Sequence, residues 1–311
     1  MQTFSHEAFN PRSFGKTNLK MELSKSTLAY ANLLVVDDLL YVLTSACGNS
    51  NYDFRFDLFF PCRHQIAVDL QRSAIARIGA IPQYDLVYQE LERENLPLIH
   101  TYEEHLLASE LPHWYPRIAD LTPESHWCSK PLKWNEASSQ FGVPFFMKGT
   151  RQTSRHQKSL SIINDSEEYE QSLIAYANDP ILRHQDLVYR RYERLRLVED
   201  ALPHRIPSSF EFRTFWWKGD LAGCGQYWWE GKSYRMTPSE STAALSIAKE
   251  TARRLNVPFL VVDIAQTIGQ KWIVIECNDG QESGYGGIAP IGLWQRILDI
   301  ERSRLSGESE P

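Results

Sequence analysis

Residues 261–280 read VVDIAQTIGQKWIVIECNDG. Two β-rich runs, 259–264 and 271–276, flank a short loop holding Gly269, which is the pattern of a hairpin. Side chains alternate faces along a strand, so Asp263 shares a face with Val261, and Glu276 shares one with Val274 and Asn278. A turn centred on Ile268 and Gly269 sets Asp263 opposite Val274, and residues directly opposite point the same way. Asp263, Glu276 and Asn278 then converge on one side of a sheet whose other side is Ile264, Ile273, Ile275 and Cys277. Two carboxylates and an amide oxygen, gathered without histidine or thiolate, make a hard oxygen site suited to Mg²⁺ carrying nucleotide phosphates. The same pattern also fits a solvated polar face on an amphipathic hairpin.

With these residues the chain resembles the ATP-grasp superfamily, whose C-terminal lobe ends in an Asp-bearing strand, a turn, and a strand closing on Glu-x-Asn. The resemblance implies that Asp263, Glu276 and Asn278 hold one or two Mg²⁺ ions between the phosphates of ATP. The continuation DGQESG, residues 279–284, looks like the family loop that faces the acceptor substrate. Upstream, FGVPFFMKG at 141–149 resembles the family strand whose lysine reaches the α- and β-phosphates, which assigns that role to Lys148. The alternative for Lys148 is simple solvation at the end of an apolar strand. The resemblance spans about residues 131–298. It implies a mixed α/β and α+β chain, with a small N-terminal α/β domain (pre-ATP-grasp-like) followed by a two-lobed ATP-grasp fold.

Composition sets outer bounds. A chain of 311 residues can bury a sizeable core and form two or three lobes. A formal charge of -6 argues against coating nucleic acid by bulk electrostatics. The five cysteines are scattered without a Cys-x-x-Cys pair, as expected of reduced thiols in a cytoplasmic protein rather than a disulfide scaffold or zinc site. The first twenty residues have no apolar core of a signal peptide, and the longest apolar stretch, 28–43, is interrupted by Asp37 and Asp38 and too short for a bilayer. The expectation is a soluble, cytoplasmic protein with no membrane partner.

Along the chain, residues 1–26 read as a polar lead-in, 27–121 as the N-terminal α/β domain, 122–189 and 190–301 as two nucleotide-binding lobes, and 302–311 as a polar tail. Within the first domain, 33–36 and 39–43 read as strands and 86–95 as a helix. Ile66, Leu70, Ala74 and Ile75 fall at helical spacing over 65–79. A basic loop at 151–157 lies between strands expected at 144–148 and 158–163. The family carries a flexible glycine- and serine-rich loop here that folds over the triphosphate. This chain offers charge instead, and the resemblance implies phosphate contacts for Lys158 and Arg155, against the plain alternative of an exposed basic loop. A helix is expected over 166–178, with acidic residues in its first turn. Residues 186–193 then resemble the hinge between lobes, where Tyr189, Arg190, Arg191 and Tyr192 would line the adenine slot and Glu193 would take the ribose hydroxyls. An ordinary strand with solvated arginines is the alternative. Residues 211–217 and 226–229 read as a hairpin, with Glu211 and Arg213 on one face. They resemble a family Glu-x-Arg strand whose arginine faces the phosphates or the acyl intermediate. A solvent-side ion pair is the competing view. The aromatic run Trp216, Trp217, Tyr227, Trp228 and Trp229 reads as cross-strand and core packing. Residues 242–255 read as helical. Nine histidines without a His-x-x-x-His pair make a zinc hydrolase a poor fit.

The function implied is an ATP- and Mg²⁺-dependent carboxylate–amine ligase working through an acylphosphate, with Lys148 and Arg213 at the reacting phosphate. Its partners would be ATP, a carboxylate acceptor and an amine donor, small molecule or peptide. Two alternatives stay open: a phosphotransferase using the same fold on a hydroxyl, and an ATP-binding regulatory protein without turnover. The chain is also broadly similar to an ATP-grasp clade linked by gene neighbourhood to RNA repair and peptide tagging.

Overall fold

The computed structural model describes residues 32–45, 53–64, 72–81, 83–151, 161–180, 182–199 and 206–307. Its strands form three four-stranded sheets. In the first, β1 (Asn32–Val36) and β2 (Leu40–Thr44) make an antiparallel hairpin, with β3 (Cys62–His64) beyond β1 and β4 (Ala74–Arg77) parallel to β2. The Asp37–Asp38 pair that interrupts the apolar run is the hairpin turn. Both residues have positive φ, 51° and 57°, as a tight turn matched to strand twist requires. The short helix α1 (Phe56–Phe59) precedes β3, and α2 (Tyr84–Arg93) packs Tyr84, Val87 and Leu91 on the sheet.

The helix expected over 65–79 is corrected: Ala74–Arg77 is strand β4, and residues 65–71 lie outside the described residues. All four β4 residues are buried, Ala74 and Ala76 against α2 and Ile75 in the core on the other side. A short strand buried on both faces shows no alternation, so periodicity cannot separate it from helix.

Helices α3 (Tyr102–Ser109) and α4 (Leu111–Ile118) follow. A Thr101–Glu104 capping box starts α3. The second sheet has the order β5 (Ser125–Cys128), β8 (Leu187–Arg191), β6 (Phe145–Gly149), β7 (Ile162–Ile163), all antiparallel. Helix α5 (Trp134–Phe141) leads into β6. Helix α6 (Ser166–Asn178) has the bounds its sequence implies, because the Asp165 side chain accepts from the amides of Glu167 and Glu168. Of the strand expected at 158–163, only Ile162–Ile163 falls among described residues. Arg155, His156 and Lys158 lie outside them.

The third sheet has the order β10 (Asp220–Gln226), β9 (Glu211–Trp217), β11 (Phe259–Gln266), β12 (Trp272–Asp279). Lys218 and Gly219, both at positive φ, make the tight β9–β10 turn. Helix α7 (Pro238–Leu255) starts four residues before its apolar periodicity does. Thr237 and Glu240 form a capping box, and Asn256 in the left-handed region ends the helix. Val262, Ile264, Val274 and Cys277 on one face of this sheet pack with α7 and with Leu111, Trp114 and Ile118 of α4. On the other face, Phe215, Trp217, Phe259 and Val261 pack under the final helix α8 (Pro290–Gly307) and against the first sheet. Along that second face β9 and β11 turn from apolar at the α8 end to charged at the other, where Arg213 and Asp263 pair across the strands. Among the described residues no helix is long and apolar enough to cross a membrane.

Candidate active site

The charged end of the third sheet is built on an irregularity in the hairpin. Near the turn the pairs are Gln266↔Trp272, Ala265↔Ile273 and Ile264↔Val274; beyond it they become Asp263↔Glu276, Val262↔Cys277 and Val261↔Asn278. Ile275 is the extra residue of a β-bulge. Two expectations are thereby corrected. Asp263 lies opposite Glu276 rather than Val274. Ile273 and Ile275 line the same cavity as Glu276, whereas the opposite face carries Ile264, Val274 and Cys277. Asp263, Glu276 and Asn278 are nevertheless brought together, with Asn278 Nδ2 3.5 Å from Asp263 Oδ2.

Each carboxylate is met by a cation. Arg213 donates Nε and Nη2 to the two oxygens of Asp263 at 2.9 and 2.8 Å, and Nη1 to the Gly284 carbonyl at 2.8 Å. Lys148, buried at the end of β6, pairs with Glu276 across the gap between the second and third sheets. Burial pushes the Asp263 carboxyl above its ordinary value despite Arg213 beside it. At Glu276 burial acts in the same direction, but the charge and hydrogen bond of Lys148 overcome it and hold the carboxyl below its usual range. Glu211, on the same face as Arg213, accepts from Ser209 Oγ at 3.0 Å and Trp228 Nε1 at 3.2 Å. Burial and the charge of Asp263 push its carboxyl up to about 8.

A cavity of about 590 Å³ opens from these charges between the second and third sheets. Phe146, Lys148 and Ile162 line it from one sheet, Ile273, Ile275 and Glu276 from the other. Arg190, Arg191, Tyr192 and Glu193, at the end of β8 and just beyond, close its back. Arg190 is buried, donating Nε to Ser125 Oγ at 2.9 Å and Nη1 to the Ile275 carbonyl at 2.7 Å, while its Nη2 has no partner in the protein. Burial lowers its guanidinium to about 10. Arg191 is half-exposed and pairs with Glu124.

Tyr189 is the residue of this hinge that the structure turns elsewhere. Its ring is buried in the core of the second sheet with Phe141, Phe145 and Tyr169, and its hydroxyl meets the Tyr169 hydroxyl at 2.7 Å. Alternation along β8 sends Tyr189 inward and Arg190 to the cavity. The aromatic cluster also divides: Trp216 and Trp217 are core as expected, Tyr227 and Trp228 line the cavity, and Trp229 is exposed. The order of residues carries no signal for that split, since Tyr227, Trp228 and Trp229 follow the end of β10. Cys62, Cys128, Cys224 and Cys277 are free thiols, and Cys47 lies outside the described residues.

The donor set fits Mg²⁺ better than a metal held by protein alone. It offers hard oxygens from two carboxylates and one amide. Mg²⁺ takes such a sparse set when substrate phosphates complete its shell. No group of three or more His, Cys, Asp and Glu that could hold a metal is present among the described residues.

Comparison with known proteins agrees with this architecture. No curated protein matches the sequence. Among solved structures, a RimK domain protein ATP-grasp from Sphaerobacter thermophilus DSM 20745 superposes with a TM-score of 0.52 at 15% identity, over 74% of this chain and 78% of that one. The D-alanine–D-alanine ligase of Bacillus anthracis complexed with ATP gives 0.52 at 14% identity, over 77% and 81%. The D-alanine–D-alanine ligase of Coxiella burnetii gives 0.53 at 13%, over 76% and 71%. At these identities the likeness is one of fold. Residues 129–297, more than half the chain, match the model of an ATP-grasp domain family, the third family of its clade, and the chain belongs to that ATP-grasp family.

Proposed function

We propose that the protein is an ATP-dependent ligase joining a carboxylate to an amine through an acylphosphate. The observation that carries this is the facing of Lys148 and Arg213 against Asp263, Glu276 and Asn278 at the mouth of an apolar cavity. The base would lie between Phe146 and Ile275. The unpartnered Nη2 of Arg190 would donate to an acceptor atom of the nucleotide, Tyr192 would flank the base, and Glu193 would take the ribose hydroxyls. Arg191 would stay at the rim with Glu124.

Asp263, Glu276 and Asn278 would hold Mg²⁺, which when bound bridges phosphate oxygens and offsets charge developing on transfer. Lys148 would exchange Glu276 for phosphate oxygens, and Lys158 would supply further charge to them. Arg213, fixed by Asp263 and the Gly284 carbonyl, would meet the γ-phosphate from the acceptor side. The substrate carboxylate attacks the γ-phosphorus and ADP leaves; the amine then displaces phosphate from the acyl carbon and loses a proton. The protein's contribution is positioning and charge neutralisation. Residues 27–121 would wall the acceptor side, and 122–189 and 190–301 would form the two nucleotide lobes.

The test is ADP release with Mg²⁺ and ATP over a panel of carboxylates and amines, small molecules and peptides, with products weighed by mass spectrometry. ADP formation requiring both substrates, with a product lighter than their sum by one water, is the expected result. A phosphorylated hydroxyl product would make the protein a kinase. Tight ATP binding with no ADP from any mixture would make it a binding protein.

A further inference from the structure

The end of the β11–β12 hairpin away from its turn is held by residues that the nucleotide site does not use. Asp279 closes β12 and is buried. Its Oδ2 accepts from His100 Nδ1 and His105 Nδ1, both at 2.9 Å, and from Gln281 Nε2 at 3.2 Å; its Oδ1 accepts from the Gln281 amide at 2.8 Å. The Phe259 amide donates to His100 Nε2 at 3.0 Å, so the ring proton of His100 lies on Nδ1, facing Asp279. Phe259 opens β11 and Asp279 closes β12. One imidazole therefore spans both strands. His105 lies face to face with Tyr84, ring centroids 3.9 Å apart and planes 4° from parallel.

The consequence is for register. Continued without the bulge, the pairing near the turn would set Asp263 opposite Ile275 and Glu276 opposite Val262. Asp263 and Glu276 would then point to opposite faces, because a one-residue slip moves every side chain across the sheet. Only the bulged register sets Asp263 against Glu276 and Asn278 against Val261. We propose that His100, Asp279 and His105 form a register lock, positioning residues that hold β12 in the bulged pairing and so keep Glu276 and Asn278 beside Asp263. The chain beyond the lock is tied to the first sheet. Arg77 Nη1 donates to the carbonyls of Gly280, Gln281 and Ser283 at 2.8, 2.9 and 2.8 Å, and Gln281 Oε1 accepts the Ala76 amide at 3.0 Å. For β12 to slide by one residue, all of these contacts would have to break together. The inference rests on the metal role given above to Asp263, Glu276 and Asn278.

The test uses the full chain with a non-hydrolysable ATP analogue. Mn²⁺ is titrated in and followed by water-proton relaxation, and analogue affinity in EDTA is measured by calorimetry. Thermal melts identify the folded variants. His100→Leu and Asp279→Asn are expected to weaken Mn²⁺ binding roughly 10- to 100-fold, the range for residues that orient metal ligands. Analogue affinity in EDTA stays unchanged. His100→Gln, which can accept from Phe259 and donate to Asp279, restores most of the Mn²⁺ affinity. Folded His100→Leu and Asp279→Asn that bind Mn²⁺ like wild type would overturn the lock. So would equal losses with and without metal, which mark a merely structural role. Should those two variants not fold, His105→Gln carries the same expectation from the outer side of Asp279. Wild type that binds no Mn²⁺ with the analogue overturns the metal assignment itself, an outcome distinct from binding that the variants fail to alter.

Discussion

Replacing Glu211 by glutamine should stabilise the protein progressively as pH rises from acid to mildly alkaline. Glu211 is buried, and the charge of Asp263 adds to burial in displacing its carboxyl from an ordinary 4.5 to about 8. The folded chain therefore binds this proton more tightly than the unfolded chain. Between those two values the native state holds more protons than the unfolded state, and stability falls with rising pH, levelling off above about 8. At about 1.36 kcal/mol per pH unit, the full displacement corresponds to a ceiling of roughly 4–5 kcal/mol. Glutamine keeps an oxygen to accept from Ser209 and Trp228 and has no charge to desolvate. Urea unfolding at a series of pH values from 5 to 9, followed by tryptophan fluorescence, measures the difference. Glu211→Gln should gain on wild type steadily toward pH 8. A difference that stays constant over this range would show that the carboxyl is not displaced.

Three further outcomes follow from the same contacts. Asp263→Ala leaves Arg213 buried with only the Gly284 carbonyl from its present partners and should cost about 3–5 kcal/mol of unfolding free energy; the double variant with Arg213→Met should recover much of it, and additive losses would contradict the pairing. Lys148→Ala should weaken ATP binding by roughly 1.5–3 kcal/mol in calorimetry, the range for a hydrogen bond to a charged group, with the fold intact. Glu276→Gln should slow ADP release roughly 10²- to 10³-fold at saturating Mg²⁺, with a smaller effect on ATP affinity.

What the sequence discloses depends on whether a residue's partner is near in the chain. Helix α6 is legible to the residue because its cap and first-turn acids are local. The metal hairpin is legible as a hairpin, yet its parity is not. Centring the turn one residue off and missing the bulge at Ile275 are two errors that cancel at Asp263 and Glu276, and remain visible at Ile273 and Ile275. Tyr189 and Arg190 differ by one step of alternation, and nothing local says which of them faces the cavity. Ala74–Arg77 misleads because a strand buried on both sides has no period. His100 and His105 carry no signal at all, since Asp279 lies 179 and 174 residues downstream. Pairing of that kind exists only after the first and third sheets meet.

The most direct measurement is a crystal structure of the protein with Mg²⁺ and a non-hydrolysable ATP analogue. The base should lie between Phe146 and Ile275, with Lys148 released from Glu276 onto phosphate oxygens. Asp263, Glu276 and Asn278 should share a metal at about 2.0–2.1 Å. A nucleotide bound elsewhere, or bound in this cavity with Lys148 still paired to Glu276 and no metal on that trio, would contradict the proposed site.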